Sequence, residues 1–486
     1  MTHSAQLDLA LRILMTLREK GYAAYLAGGC VRDLLLGREP ADYDVATSAT
    51  PNVVLDMFPR TFAVGAHFGV VLVSDEPQNS LKGFAPPQVE VATFRSDGIY
   101  SDGRHPDEVR YTLTAAEDVQ RRDFTINGLL LDPAKLASLI ERAPGARDME
   151  DWSARLKSCP DTRRGLRNAV IDHVGGLADL DAGVVRAIGD PARRFQEDQL
   201  RLLRAARFAA RFDFTIERAT LAAMASLAPR VHAVSRERVR DELTKMLTEG
   251  HARRAFELLD ETGLLAEVLP EVTRMKGVAQ PPQFHPEGDV WIHTLLLLEQ
   301  LPSGCPLTLA WGALLHDVGK PPTFRVAPDR IRFDRHVEVG VAMGADICRR
   351  FRFSNDETRQ ILALIDNHMR FADAPRMKDS TLKRFFRLEH FDEHLALHRM
   401  DCMAAHRNLE IWKFVRERYE ATPAEVAKPK PLLTGRELIA AGYVPGPRFQ
   451  EMLTAAEDAQ LEGTITTSDE ALALVLQRFG PAASVS

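Results

Sequence analysis

Residues 26–44 read Leu-Ala-Gly-Gly-Cys-Val-Arg-Asp-Leu-Leu-Leu-Gly-Arg-Glu-Pro-Ala-Asp-Tyr-Asp, and no other stretch constrains the fold as tightly. An apolar run ends at Gly28 and Gly29, a short helix carrying Arg32 and Asp33 follows, and Asp42 and Asp44 stand two apart in an extended segment. A Gly-Gly turn opens bare backbone N–H groups to a phosphate, and a helix start adds the positive end of its dipole. Carboxylates at i and i+2 of a strand share a face. There they can hold Mg²⁺ together with phosphate oxygens. Periodicity predicts strands over 22–27, 42–46, 68–74 and 89–94, helices over 5–20 and 31–36, and a loop over 75–88. The amino-terminal region is thus mixed sheet and helix.

Beyond it the pattern changes. Residues 134–170 are charged and irregular, and from about 195 the sequence is almost wholly helical. Pro281-Pro282 interrupts that helical run, and Lys428-Pro429-Lys430-Pro431 precedes a last helical segment over 435–479. A chain of 486 residues is too long for one ordinary core. With 45% hydrophobic and 27% charged residues it reads as a soluble globular protein, without a membrane span or a secretory signal. Its five cysteines are scattered and form no Cys-x-x-Cys pair, which predicts a reduced, cytoplasmic protein without a cysteine zinc site. The net charge of −6 does not announce a nucleic-acid partner, so any RNA surface must be local.

Further along stand Val89-Glu90-Val91-Ala92-Thr93-Phe94-Arg95, Arg121-Arg122-Asp123-Phe124-Thr125-Ile126-Asn127 and Glu197-Asp198-Gln199-Leu200-Arg201. Glu90 is a charge in an apolar strand: either an exposed residue of an edge strand, or a third carboxylate beside the aspartates that binds metal or serves as a base. Asp198 and Arg201, i and i+3 on an expected helix, read as neighbours. An acceptor-only Asp beside a donor-only Arg matches the edges of cytosine and adenine and rejects uracil and guanine. An ordinary helical ion pair is the plainer reading.

In this order the motifs resemble the bacterial CCA-adding and poly(A) polymerase family, the class II nucleotidyltransferases, over most of residues 20–275. The resemblance implies an α+β multidomain chain. Its polymerase-β-like head occupies residues 1–135, with an insertion or linker at 136–170. A helical neck and body at 171–280 carries the nucleobase template and an RNA-binding surface. It further implies that Gly28, Gly29 and Arg32 meet the triphosphate and that Asp42 and Asp44 hold Mg²⁺. Arg122 would bind the nucleotide, Asn127 would read the ribose, and Arg204 and Arg207 would also touch the nucleotide. The family usually has Ala after that Asn, where this chain has Gly128. Residues 96–106 correspond to a flexible loop thought to help the pocket change between C and A.

A second constellation comprises His293, His316, Asp317, His336, His368 and Asp401, with contexts Trp-Ile-His-Thr and Leu-Leu-His-Asp-Val-Gly-Lys. Imidazole suits divalent transition metals and carboxylates suit harder ones. The order His…His-Asp…Asp resembles the HD phosphohydrolase superfamily. It implies an HD domain at 281–427 followed by a helical tail at 428–486. His293, His316, Asp317 and Asp401 would be primary ligands, and His336 and His368 would permit a second metal. Such a site hydrolyses phosphomonoester or cyclic phosphodiester ends.

Together these imply an enzyme adding C and A, from CTP and ATP, to tRNA 3′ ends, with an attached hydrolase. A poly(A) polymerase, or an enzyme adding only A or only CC, is the near alternative, although residues 60–69 lack the basic run common before the second strand of poly(A) polymerases. The distant alternative is an inert head that only binds nucleotide or RNA, and the intact Asp42 and Asp44 argue against it. A basic group around Arg230, Arg236, Arg238, Arg240, Lys245, Arg253 and Arg254 is the expected tRNA backbone contact, or else a solvated face.

Overall fold

The computed structural model describes residues 2–65, 69–75, 86–97, 109–135 and 160–481. The expected flexible loop, except for residues 96 and 97, lies outside them, as do 136–159 of the expected linker and 66–68 of the segment before the second strand. The chain forms two compact units, Met1–Met246 with Arg254–Val268, and Leu247–Arg253 with Leu269–Ser486. Among the described residues no helix is long and apolar enough to cross a membrane.

The first unit is built on a seven-stranded sheet. Its strands are β1 (Ala24–Ala27), β2 (Asp44–Thr47), β3 (Thr61–Gly65), β4 (Val70–Ser74), β5 (Gln88–Thr93), β6 (Leu129–Leu131) and β7 (Val170–Asp172). Their spatial order is β3-β4-β5-β2-β1-β6-β7, and only β2 and β5 run parallel. Alternation along β5 buries Val89, Val91 and Thr93 and leaves Glu90 exposed. Helix α1 (Thr2–Glu19) buries Leu7, Ile13, Leu14 and Leu17. Helix α2 (Gly29–Leu35) follows β1 directly, with Val31 and Leu34 buried.

Two expectations about this unit change. Residues 160–170 are not irregular: Pro160–Ala169 is a helix and residue 170 opens β7. The charged face of that helix masks its buried stripe, Leu166 and Ala169. Asp42 lies outside β2, which begins only at Asp44. Gly128, where the family favours Ala, is explained by packing, because a Cβ there would come within 2.7 Å of Val174 Cγ2 and 3.0 Å of Val119 Cγ1.

Two helices follow the head, α3 (Pro191–Glu197) and α4 (Leu200–Phe212). Asp198 separates them in an extended conformation. Helix α5 (Arg236–Thr248) supplies Arg238 and Glu242 to α4 and the turn before it.

The second unit is helical. Its elements include α6 (Val290–Leu298), α7 (Leu307–Leu315), a hairpin of β8 (Phe324–Val326) and β9 (Ile331–Phe333), α8 (His336–Arg350), α9 (Asn355–Asn367) and α10 (Phe391–Ala404). Helices α6 and α7 are apolar almost all round, as befits buried elements. Three later helices gather around Leu438, Tyr443, Met452 and Val475 in a core of their own.

Candidate active sites

Strand register builds the first site. Ala27 of β1 is the Cα partner of Asp44, and Asp44 is the partner of Glu90 across the parallel pair. Gly28, the next residue after Ala27, has φ 77°, a conformation that favours glycine. Its missing side chain matters as much, because a Cβ there would lie 3.0 Å from Arg122 Nη1. Arg122 donates to Asp118 (3.0 Å), and Asp118 also takes two bonds from Arg121 (2.9 and 2.7 Å). Arg122 Nε is buried without a partner. The turn, a cation and the acidic residues therefore converge.

Electrostatics report the same proximity. Burial, reinforced by the Asp42 and Glu90 carboxylates, pushes Asp44 up to about 7, against the pull of Arg122. A buried acid destabilised by two like charges is a cation site in waiting, and oxygen donors of this kind suit Mg²⁺. Asp42, Asp44 and Glu90 fit that ion by this donor chemistry.

Behind the turn runs a buried relay. Arg32 is only 4% exposed. It donates to Asp33 and to Asn127 Oδ1, and its guanidinium lies 4.5 Å from the Phe212 ring centroid. Asn127 in turn donates to Asp123 (3.0 Å), and Asp123 receives Arg204 at 2.9 and 2.7 Å. Burial would raise Asp123, but Arg204 and the Asn127 amide hold it below the usual carboxylate range. Arg207, also buried, donates to Glu242 (2.7 Å). Arg32, Asn127 and Arg204 are thus joined in one chain of bonds through Asp123, and Arg207 is held apart from it by Glu242.

The Asp198 and Arg201 pairing requires correction. The two are not an ion pair on one helix, since Asp198 is the extended residue that ends α3, and its carboxylate accepts from the Leu200 N–H at the start of α4 (3.0 Å). Its carboxylate pairs with Arg238 (3.1 Å), while Arg201 donates to Glu197 (3.1 Å) and to the Arg194 and Arg121 carbonyls (both 3.0 Å). Acceptor and donor are each held by a separate clamp. The sequence carried no signal for this break. Arg238 and Glu242 carried none as site residues. The basic group is also partly neutralised, with Arg238 on Asp198, Arg240 on Asp241 and Arg253 on Glu299.

The second site unites all six residues expected of it. Two sets of ligand atoms cluster within 4.8 Å of one another: His293, His316 and Asp401, and Asp317, His336 and His368. Each histidine is anchored through Nδ1. His316 bonds the Ala313 carbonyl (2.9 Å), His336 the Phe333 carbonyl (3.0 Å), His368 the Ile365 carbonyl (2.7 Å), and His293 the Glu287 carboxylate (2.7 Å). Their Nε2 atoms are buried and face carboxylates rather than ordinary hydrogen-bond partners, with His293 3.0 Å from Asp401 and His316 3.2 Å from Asp317, while Nε2 of His336 and His368 and Oδ1 of Asp317 are buried without a hydrogen-bond partner. Orphaned buried polar atoms are rare. Here they are explained by a cation, and the donor set of imidazole with carboxylate fits a divalent transition metal.

Charge across these residues is uneven. Burial works against a charged His293, yet the Asp401 and Glu287 carboxylates, which accept from its ring nitrogens, raise it to about 9. Burial lowers His368 to about 4. Lys320 sits 2.7 Å from Asp317 and donates to Gln280 (2.7 Å). Gly319 permits the close approach of chain segments, because a Cβ there would lie 2.0 Å from the His336 carbonyl oxygen. His285 and Glu287, which adjoin His293, are additions that no sequence pattern marked.

Comparison with known proteins agrees with this geometry. The model of the poly A polymerase head domain matches residues 24–155, and that of the probable RNA and SrmB-binding site of polymerase A matches 213–276. A model of tRNA nucleotidyltransferase domain 2 matches 337–476. Residues 24–155 are therefore similar to the poly A polymerase head domain. The particular proteins that the chain resembles are CCA-adding enzymes. That of Lactobacillus gasseri is 35% identical over 302 residues, covering 60% of this chain and 65% of the relative. That of Geobacillus stearothermophilus is 37% identical over 257 residues, 53% of each chain. The chain thus spans less than two thirds of the length of these curated relatives. The structure of the Bacillus stearothermophilus CCA-adding enzyme in complex with CTP superposes with a TM-score of 0.69 at 25% identity, over 98% of both chains. The Thermotoga maritima CCA-adding enzyme complexed with tRNA shares the fold, with a TM-score of 0.54 at 18% identity over 97% and 95% of the two chains.

Proposed function

We propose that the protein is a template-independent nucleotidyltransferase that adds C and A, from CTP and ATP, to the 3′ end of tRNA in the cytoplasm. The single observation that carries this reading is the line Ala27, Asp44, Glu90 across three strands, with Arg122 over Gly28 at its end. Mg²⁺ held by Asp42 and Asp44 would supply charge stabilisation to the triphosphate and lower the pKa of the attacking hydroxyl. Arg122, fixed by Asp118, binds phosphate oxygens beside the glycine turn. Glu90 is exposed on the same line and serves as a further carboxylate for the metal or the incoming hydroxyl. Asp198 accepts from the exocyclic amine of cytosine or adenine, and Arg201 donates to the adjacent ring nitrogen. Most of the work is positioning and charge stabilisation.

The test uses tRNA transcripts ending before the CCA, in C and in CC, each with labelled CTP or ATP. Stepwise addition of two C and one A is expected. Open-ended A addition, or addition of one base only, would overturn the specificity assigned here.

The second unit carries a metal-dependent phosphohydrolase in this proposal, supported by the four inward Nε2 atoms and Asp317. A bound divalent transition metal would supply a hydroxide at neutral pH. The six ligating residues hold it, and Lys320 offers a cation to a phosphate oxygen. Hydrolysis of 2′,3′-cyclic phosphate ends to phosphomonoesters is the expected activity, and its absence with Mn²⁺, Co²⁺ and Ni²⁺ would remove the assignment.

A further inference from the structure

Between Asp317 and His336 the chain makes an excursion that the metal ligands do not need, the β8–β9 hairpin. It pairs Phe324 with Phe333 and Val326 with Ile331. The hairpin forms one wall of a cavity of about 760 Å³ that opens onto the ligands His336, His368 and Asp401. That volume is in the range that buries a drug-sized organic ligand, far more than a phosphate ion requires. The wall contributes Arg330, Arg332 and Phe333, and Phe284 and Met369 face the same space.

Phe333 is tied to the chemistry twice. Its carbonyl fixes His336 Nδ1 at 3.0 Å, and its ring lies 5.4 Å from Lys320 Nζ, the ammonium that contacts Asp317. Arg330 and Arg332 pair with Asp329 at 3.8 and 2.9 Å, Asp334 lies close enough to feel both charges, and Arg332 Nε is buried without a hydrogen-bond partner. An aromatic face flanked by guanidinium groups is how proteins bind single-stranded nucleic acid, by stacking a base and tracking the backbone.

We propose that this hairpin is the specificity element of the hydrolase site. Phe333 stacks the terminal base of an RNA strand, and Arg330 and Arg332 meet the phosphodiester before it. The inference rests on the hydrolase reading and adds its substrate class: the end of a single RNA strand, in preference to small phosphate esters.

The experiment compares two substrates in the full-length protein, an RNA trinucleotide ending in 2′,3′-cyclic phosphate and bis(p-nitrophenyl) phosphate. Phe333→Ala should lower kcat/KM for the trinucleotide roughly tenfold more than for the small ester. Arg330→Ala, at an exposed position, should raise the trinucleotide KM and flatten its salt dependence. Equal losses on both substrates would mean that Phe333 merely supports His336, and no loss on either would make the hairpin a bystander. Both results overturn the proposal. Hydrogen exchange gives a readout independent of turnover: a trinucleotide with a 3′-phosphate should protect the amides of residues 324–333, and inorganic phosphate should not. Absent protection overturns the proposal even where hydrolysis is found. Protection in a protein without hydrolysis would keep the RNA-binding role and remove only the hydrolase reading.

Discussion

The two acidic centres solve opposite problems. In the head, Asp44 begins a strand, Asp42 precedes it in a loop, and Glu90 is exposed, so under the function proposed above the cation and nucleotide would supply the carboxylates' fixed neighbours. In the second unit, His293, His316, Asp317 and His368 are buried, and each imidazole is oriented by a bond on its far side. Mg²⁺ keeps much of its water and borrows phosphate oxygens, so an open site suits it. A transition metal with nitrogen ligands is held by the protein itself, and outer hydrogen bonds set the ring orientation. One centre is completed by its substrate. The other is complete before substrate comes.

The contrast can be broken most sharply in the head. Asp44→Ala should abolish nucleotide incorporation, by at least ~1000-fold, while metal-dependent ester hydrolysis persists. Gly319→Ala is the mirror experiment. With the His336 carbonyl only 2.0 Å from the new methyl, backbone must move, and tightly bound metal measured by plasma mass spectrometry should be lost. Incorporation by the head should continue. Glu287→Gln is gentler, because the His293 ring stays but its carboxylate support goes; metal affinity by competition with a chelator should fall roughly 10–100-fold. A change below threefold would mean that orientation matters little.

Smaller effects refine the head. Asp198→Ala should let UTP and GTP compete, with discrimination falling by roughly tenfold per lost hydrogen bond. Unaltered base choice would dismiss the separate clamps as readers. Asp123 tests the relay. Its folded pKa is depressed, so its contribution to stability is present above the unfolded value near 4 and is lost as pH falls below it. Thermal melts should therefore show Asp123→Asn losing a few degrees at pH 7, with the gap to the native protein closing toward pH 3.

Much of this was legible in the chain because motif and chemistry coincide. The glycine turn, Asp44 and Glu90 fell beside one another across neighbouring strands, with Asp42 just ahead of its strand, and the six scattered histidines and aspartates met in one place. What escaped was backbone context. The carbonyls that orient His316, His336 and His368 each belong to the residue three positions earlier, and their identity is immaterial. Asp198 was misread because a helical pattern continues through it, although a cap interrupts the helix there. Arg238 and Glu242 were unreadable, since nothing local distinguishes them from solvated charges on α5.

Tyr43 lies between the two aspartates and is buried, with only 4% of its surface exposed. That buried ring anchors the short segment leading from Asp42 into β2, so it fixes the backbone on which both carboxylates stand. The penalty for displacing this segment thus falls on a bulky aromatic, and whatever seats it beside the central strand also holds the acids in place. A chain that assembles wrongly here forfeits its core before it ever presents a faulty catalyst.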